Sequence, residues 1–480
     1  MPPGAKYYLP GVKEWVCLDM SPETFEAQFV EVSVGMPTIS SISSVKLGWE
    51  LFVADVSLAK QVLARKKEFT KPTEMTKKIT IFGDSLASVE GADWNRHRRC
   101  TAVAFSDNIN QIVWYESCKQ AANTLTGFRS ETQVSNTQDE MSRIGFVVLL
   151  KACMGLEGDT ETAENEKHDL DINGGKQHLK LLLDMIPASP KFNLRFLQEP
   201  SNQFIYNLKG LGSFLNDLMN YRRNHPRSEP DLLSALLGFR EANILTDQEI
   251  KGNIFLFLFA GQETTANTLL YILYLLAIFP EWQHWATEEL DHIFMGLPPH
   301  EIPTLQEAFP RINRLKAIMY ETLRLYGPVT TNFRKTSQTA HLPHKKELVI
   351  PENIQVNMLL PALHTNPNYW GQHSLSWNPD RWIRKCSNNT KEELDSNKIN
   401  DLLAWAEGPR ICPGKKFSQV EIIAVLVTLL RSASVHISPG PGENIQESRI
   451  KALHVVQQSK SLLTLHIPEP ETVKLVWKSR

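Results

Sequence analysis

A mainly α-helical fold with a minor β region is predicted for this 480-residue chain by three observations. Long apolar or amphipathic helical patterns outnumber strand-like alternation. The most hydrophobic of them opens at Thr246-Asp247-Gln248-Glu249, a capping box, runs through residues 254–260 and 269–279, and stops at Pro280. Another helical stretch, 417–430, follows directly on a loop rich in glycine and proline. The chain is longer than the roughly 250–300 residues one core usually serves, so more than one lobe is expected. A formal net charge of −2 and a pI near 6.7 give no electrostatic reason for a nucleic-acid partner.

In chain order, residues 47–53 alternate like a strand, and 57–68 carry Leu58, Val62 and Leu63 on one helical face. Residues 79–90, containing Gly83, read as a loop before a helix at Trp94. Residues 138–154 are helical. Residues 157–175 are acidic, poor in apolar side chains and end in Asn173-Gly174-Gly175, which predicts a solvated loop. Residues 203–221 and 231–239 are helical, linked by 226–230, and a further helix runs from 312 to Gly327-Pro328. A short strand is expected over 348–354, weak alternation over 355–360, a polar loop or broken helix over 387–400, and terminal strands over 455–465 with a turn at 457–461. No segment qualifies as a signal peptide or apolar anchor, so residues 1–46 are expected to form an N-terminal segment without a membrane anchor, ahead of one functional region over 47–480. Residues 185–197, with Pro187, Pro190, Phe192 and Phe196, suit either contact with a bilayer or packing over a substrate channel.

Four constellations carry chemistry. Cys412 lies in Trp405-Ala406-Glu407-Gly408-Pro409-Arg410-Ile411-Cys412-Pro413-Gly414, where glycines permit close backbone approach, prolines stiffen the loop and a following helix N-terminus favours thiolate over thiol. This is how a thiolate is presented to a haem iron. A buried, inert thiol is the ordinary alternative, and zinc would need further Cys or His at short spacing. The six cysteines are scattered singly, which excludes a disulfide scaffold and points to a reducing compartment. Glu321 and Arg324, three residues apart among Leu315, Ile318, Met319 and Leu323, form a pair set against the core rather than in water. The polar centre of the long helix, Ala260-Gly261-Gln262-Glu263-Thr264-Thr265, denies a transmembrane reading; glycine and back-bonding threonines there are expected to open the ladder for a ligand. Trp94 and Arg98 share one helical face.

Together these segments resemble the cytochromes P-450, of the microsomal eukaryotic type that includes fungal members, from residue 47 to the C-terminus. Gly408, Arg410, Cys412 and Gly414 match Phe-x-x-Gly-x-Arg-x-Cys-x-Gly, with Trp405 in the place of phenylalanine. Glu321 and Arg324 match Glu-x-x-Arg, and Pro379-Asp380-Arg381-Trp382 is similar to Pro-Glu-Arg-Phe, making Arg381 the third member of an ion network. Residues 260–265 match Ala-Gly-x-Glu-Thr-Thr without a mismatch, and Trp94 and Arg98 match Trp-x-x-x-Arg.

The resemblance implies the cytochrome P-450 fold over 47–480 and haem b with Cys412 as axial thiolate. It implies propionate contacts from Trp94, Arg98 and Arg410, with Arg334 a weaker candidate, and proton delivery to dioxygen through Glu263 and Thr264. It implies a monooxygenase acting on a lipophilic molecule, such as a terpenoid or steroid of specialised metabolism, with electrons from NADPH arriving indirectly through NADPH–cytochrome P-450 reductase. Arg99, Lys415 and Lys416 are candidates to meet that flavoprotein. An endoplasmic-reticulum surface location and peripheral membrane contact are further implications. Phe255, Phe257, Phe259, Thr330, Phe333 and the loop 79–86 are candidates for an apolar pocket, with plain core the alternative. A dioxygen-independent isomerase or dehydratase, or a non-catalytic haem carrier or sensor, would not need the Glu263-Thr264 pair.

Overall fold

The computed structural model describes residues 50–76, 80–130, 132–156, 171–185, 202–226, 231–298, 301, 303–343, 347–385, 392–461 and 463–480. The expectations for residues 1–46 and for most of 157–175, 185–197 and 226–230 therefore lie outside the described residues. The longer helices are α1 (Val56–Ala64), α2 (Gly91–Thr101), α3 (Asp107–Ser130), α4 (Thr137–Met154), α5 (Ile172–Met185), α6 (Asn202–Asn224), α7 (Leu232–Glu241), α8 (Asp247–Ile278), α9 (Pro280–Ile293), α10 (Arg314–Tyr326), α11 (Lys415–Ser432) and α12 (Ile445–Gln457). The strands used below are β1 (Glu50–Val53), β2 (Phe69–Thr70), β3 (Thr331–Thr336), β4 (Gln355–Leu359), β5 (Ala433–Ile437), β6 (Lys460–Ser461), β7 (Leu465–His466) and β8 (Leu475–Ser479). No described helix is long and apolar enough to cross a membrane.

The chain divides into two compact units, residues 1–75 with 320–412 and residues 76–319 with 413–480. The first is built on a four-stranded sheet of order β1-β4-β3-β2. β1 pairs parallel with β4 from Glu50↔Gln355 to Val53↔Met358, and β3 pairs antiparallel with β4. Asp55 starts α1 by accepting a hydrogen bond from the Leu58 N–H at 2.7 Å. Val62 and Leu63 of α1 are then buried in one core cluster with Leu51, Phe69, Val356 and Met358. Burying aliphatic side chains of this size stabilises the unit by about 1.5–3 kcal/mol each.

In the second unit, α8 packs along α4, α11 along α3, and α3 along α4. The capping box forms as expected: the Glu249 N–H donates to Thr246 Oγ1 and the Thr246 N–H to the Glu249 carboxylate, at 3.2 and 2.8 Å. From Thr265 to Ile278 every residue of α8 is buried, so its length is sustained by packing rather than propensity. β5 pairs antiparallel with β8, and β6 with β7 as a hairpin.

Two expectations are corrected. Residues 172–175 open helix α5 instead of ending a loop: the Asp171 carboxylate accepts from the Gly174 N–H at 2.8 Å, and a Cβ on Gly175 would lie 2.7 Å from the Phe214 ring of α6. These glycines serve capping and helix–helix packing, not a turn. Residues 455–457 end helix α12 instead of forming a strand. An Asn444–Glu447 capping box starts that helix, and Ser448, Ala452 and Val456, each four residues apart, form its buried stripe. Helices α3 and α9 were not singled out in the sequence, although Ile109, Val113, Cys118, Ala121, Leu125 and Phe128 of α3 are buried at spacings of three to five. The described part of 387–400 is a short strand, Glu392–Leu394, and a one-turn helix from Ser396.

Candidate functional site

Cys412 belongs to the first unit and ends a loop closed by its own backbone. The Ala406 N–H donates to Leu403 O, the Ile411 N–H to Gly408 O and the Cys412 N–H to Trp405 O, at 2.9, 3.1 and 2.8 Å. The turn places Ala406 at φ 57° and Gly408 at φ 73°. Gly408 is needed twice over, because a Cβ there would also lie 2.7 Å from Leu63 O at the end of α1. Gly414 has φ −80° and is the N-cap of α11, so no left-handed conformation requires it. Among the described cysteines, Cys100, Cys118 and Cys153 are buried and Cys412 is exposed. Burial pushes the Cys118 thiol up to about 12 and raises Cys100 and Cys153 as well, so those three stay protonated. Cys17 and Cys386 lie outside the described residues. Among the described residues no group of three or more His, Cys, Asp or Glu is placed to hold a metal ion.

The departures at Trp405 and Trp382 meet on one ring. Tyr320 packs edge-on against Trp405 with centroids 6.3 Å apart, and against Trp382 at 5.4 Å. Trp382 also adds a bond that phenylalanine cannot make: its indole N–H donates to Glu321 Oε2 at 2.9 Å. Glu321, fully buried, accepts in addition from Arg324 Nε and Nη2 at 2.8 and 2.9 Å, from Arg381 Nε at 2.9 Å and from the Asn378 N–H at 2.8 Å. Burial alone would raise its pKa, but Arg324 and then Arg381 pull it below the usual carboxylate range, so it is ionised. Arg324 spends its remaining donors on His364 O, Ser374 O and Ser376 O. His364, pushed down to about 3 by burial and by the Arg324 charge, is neutral and accepts the Leu403 N–H at Nε2. Leu403 O in turn holds Ala406. A continuous hydrogen-bonded path thus runs from the ion network to the loop that carries Cys412. Arg410 is half-buried in that loop, and Arg334 lies buried in β3, donating to Asn332 Oδ1 and Phe333 O at 2.6 and 2.7 Å.

In the second unit, α8 between Gly252 and Ile278 is buried except for the partly accessible Gly261 and a partly accessible stripe carrying Leu256, Phe259, Ala260, Glu263 and Thr264. Their spacing of three, one, three and one places them on one face. The Thr264 and Thr268 hydroxyls donate to the carbonyls of Ala260 and Thr264, at 2.7 and 2.8 Å, yet the helix runs unbroken from Asp247 to Ile278. The expected opening of the ladder is not a break, because these bonds add to the helical ones. Gly261 packs against α4: a Cβ there would lie 3.0 Å from Leu149. Phe255 and Phe257 are core, 2% and 8% exposed, the first against Phe82 and the second against Phe105. Phe259 remains on the accessible stripe, while Thr330 and Phe333 are half-buried in the first unit. The loop before α2 docks on α8, with Gly83 at φ 126° against Gln248 and Gly252, and the Leu86 N–H donating to Asn253 Oδ1 at 2.9 Å.

Trp94 is buried and Arg98 half-buried, one turn apart on α2. What pins that helix is His97, which the spacing of the pair did not show. Asn253 Nδ2 donates to His97 Nδ1 at 3.0 Å, so the ring proton sits on Nε2 and reaches Glu249 Oε1 at 3.2 Å. Arg96 adds a 2.6 Å ion pair to the same carboxylate. Burial raises the Glu249 pKa, but Arg96, Thr246 and His97 outweigh it and bring it to about 2. Arg99 and Lys416 are exposed and Lys415 half-buried; Lys416 Nζ stands 3.7 Å from the Phe309 ring centre. The parts fit a haem by their chemistry. An accessible thiol stands on a glycine-restrained loop, and the accessible stripe of α8 carries small and proton-bearing side chains.

The family model described as Cytochrome P450 matches residues 35–465. The chain is 27% identical to Cytochrome P450 monooxygenase 124 of Postia placenta, over 92% of this chain and 85% of that protein. It is 26% identical to Cytochrome P450 monooxygenase ORF6 of Penicillium roqueforti, over 89% and 80%. It is also 26% identical to the phomenoic acid biosynthesis cluster cytochrome P450 monooxygenase of Leptosphaeria maculans, over 83% and 76%.

Proposed function

Since the chain belongs to the cytochrome P450 family and is an oxidoreductase of its monooxygenase class, we propose that Cys412 is the axial thiolate of haem b. We propose further that the enzyme hydroxylates a lipophilic small molecule with electrons drawn from NADPH through NADPH–cytochrome P450 reductase. The observation that carries this is Cys412 itself: it is exposed on a tightly closed loop, while the other described thiols are buried and protonated. When bound, the haem supplies dioxygen activation, in which two electrons and two protons leave one oxygen atom as water and put the other into a substrate C–H bond. The chain's residues do the rest. Glu263 and Thr264 hold and pass the protons from the accessible face of α8. Trp94, Arg98 and Arg410 bind the propionates by N–H donors and charge, with Arg334 further from that role because its guanidinium is engaged within β3. Leu256 and Phe259 offer the apolar contacts a lipophilic substrate needs.

The name of the Leptosphaeria maculans relative, which places that protein in a biosynthesis cluster, supports a place in specialised metabolism; a terpenoid or steroid is the substrate type to test first. Arg99, Lys415 and Lys416 supply cationic groups for an acidic reductase face. Attachment at the endoplasmic-reticulum surface through peripheral contact is part of the same reading. The test is Cys412→Ser. A neutral hydroxyl donates far less charge to iron, so reduced protein under carbon monoxide loses its red-shifted Soret band. Persistence of that band would assign the ligand to another cysteine.

A further inference from the structure

We propose that Thr464, in the hairpin of β6 and β7, is a positioning residue that locks one oxygen of Glu263 as an acceptor, leaving Oε2 as the atom that takes up and releases the proton. The inference rests on the reading of Glu263 as a proton carrier. Thr464 Oγ1 donates to Glu263 Oε1 at 2.5 Å and accepts from Asn267 Nδ2 at 3.1 Å. Asn267 is one turn beyond Glu263 on α8, so the hairpin hydroxyl is clamped between two successive turns of one helix. The direction of these bonds is fixed. Asn267 Nδ2 also donates to Leu465 O at 3.3 Å, and a rotated amide would set two carbonyl oxygens against each other. With an N–H pointing at one of its two lone pairs, the Thr464 hydroxyl gives its single proton to Oε1 whenever Glu263 is ionised. A proton on Oε1 would turn the buried Thr464 donor away from its acceptor, so the neutral acid keeps Oε1 as acceptor and carries its proton on Oε2.

The clamp belongs to a longer seam. Glu263, Asn267, Tyr271 and Tyr274 recur at helical spacing, and each bonds the C-terminal segment. Tyr271 meets Ser459 Oγ at 2.6 Å, and the Tyr274 hydroxyl donates to Pro470 O at 2.6 Å. Tyr271 and Tyr274 are fully buried, and Asn267 and Thr464 nearly so. Buried groups satisfied in this way hold their geometry, because breaking one bond strands its partner. The hairpin therefore sets the orientation of the acid on the accessible stripe, which α8 alone leaves to side-chain rotation.

The experiment uses the full haem-loaded chain with reductase, NADPH and dioxygen, without added substrate, and measures hydrogen peroxide formed per NADPH consumed. Thr464→Val keeps the shape and removes the hydroxyl; Thr464→Ser keeps the hydroxyl, and Thr464→Ala replaces valine should the latter not load haem. The expected result is a peroxide share raised at least about twofold in Thr464→Val, restored in Thr464→Ser, and not raised further when Thr464→Val is added to Glu263→Gln. Amide exchange across residues 463–466 should quicken in Thr464→Val and not in Thr464→Ser, a readout independent of turnover. If Glu263→Gln raises peroxide and Thr464→Val does not, the positioning role is wrong and the proton-carrier reading stands. If Glu263→Gln itself changes nothing, that reading fails and the inference with it. An equal effect of Thr464→Val in both backgrounds would show Thr464 acting apart from Glu263, which also overturns the proposal.

Discussion

Glu421 should make the stability of this enzyme fall with rising pH, and Glu421→Gln should abolish that fall. The residue lies on α11, 1% exposed, where a Cβ on Gly145 of α4 would meet its Oε1 at 3.6 Å. No well-formed hydrogen bond reaches either carboxyl oxygen. Burial pushes the group up to about 8, and Thr265 of α8 offsets only part of that. Cys153 of α4 is the other titratable neighbour, itself raised by burial and by the Glu421 charge. Between 4.5 and about 8 the folded chain keeps a proton that the unfolded chain has released. The contribution to stability is thus fully present below 4.5 and is lost as pH rises through 8. At 1.36 kcal/mol per pH unit the whole span amounts to roughly 5 kcal/mol, a sizeable part of the roughly 5–15 kcal/mol that separates a folded domain from its unfolded chain. His364, pushed down to about 3, runs the opposite way as pH falls from 6.5, but it is present in both proteins and cancels in their difference. Unfolding in guanidinium chloride at pH 5 and pH 9 should show Glu421→Gln gaining about 4 kcal/mol relative to the unsubstituted protein between the two. A difference that stays constant with pH would mean that Glu421 is ionised in the folded state, and the argument from burial would be refuted.

Three further outcomes are expected. Glu321→Ala strands two arginines and an indole N–H in the core and should cost about 3–5 kcal/mol, seen as loss of soluble, haem-loaded protein; melting unchanged from the parent would reduce the network to a surface pair. Thr264→Ala removes a hydroxyl that donates to Ala260 O within its own helix, so haem content and the carbon monoxide spectrum should persist while peroxide per NADPH rises, with Thr265→Ala doing much less. Gly408→Ala sets a methyl group 2.7 Å from Leu63 O at φ 73° and should destabilise the Cys412 loop by about 1–3 kcal/mol, measured as faster haem loss to apomyoglobin; a rate equal to the parent's would show that the loop yields without strain.

The sequence by itself determined the features that depend on neighbours along the chain. The capping box at Thr246, the stop at Pro280, the pair Glu321–Arg324 and the loop 405–414 all announce themselves within a few residues, because helix termini and turns are satisfied locally. The third network member, Arg381, was legible by resemblance and joins Glu321 as expected. A single glycine misled where its role was distant: Gly175 is space for Phe214, not the sign of a turn. Trp405 and Trp382 are separate departures along the chain, and Tyr320 joins them in space. Only the tertiary structure brought Thr464 to Glu263, 201 residues away, and enclosed Glu421 beside Gly145 and Thr265. A carboxyl's protonation state and the direction of its hydrogen bonds depend on which groups surround it in space, and no local pattern along the chain encodes that.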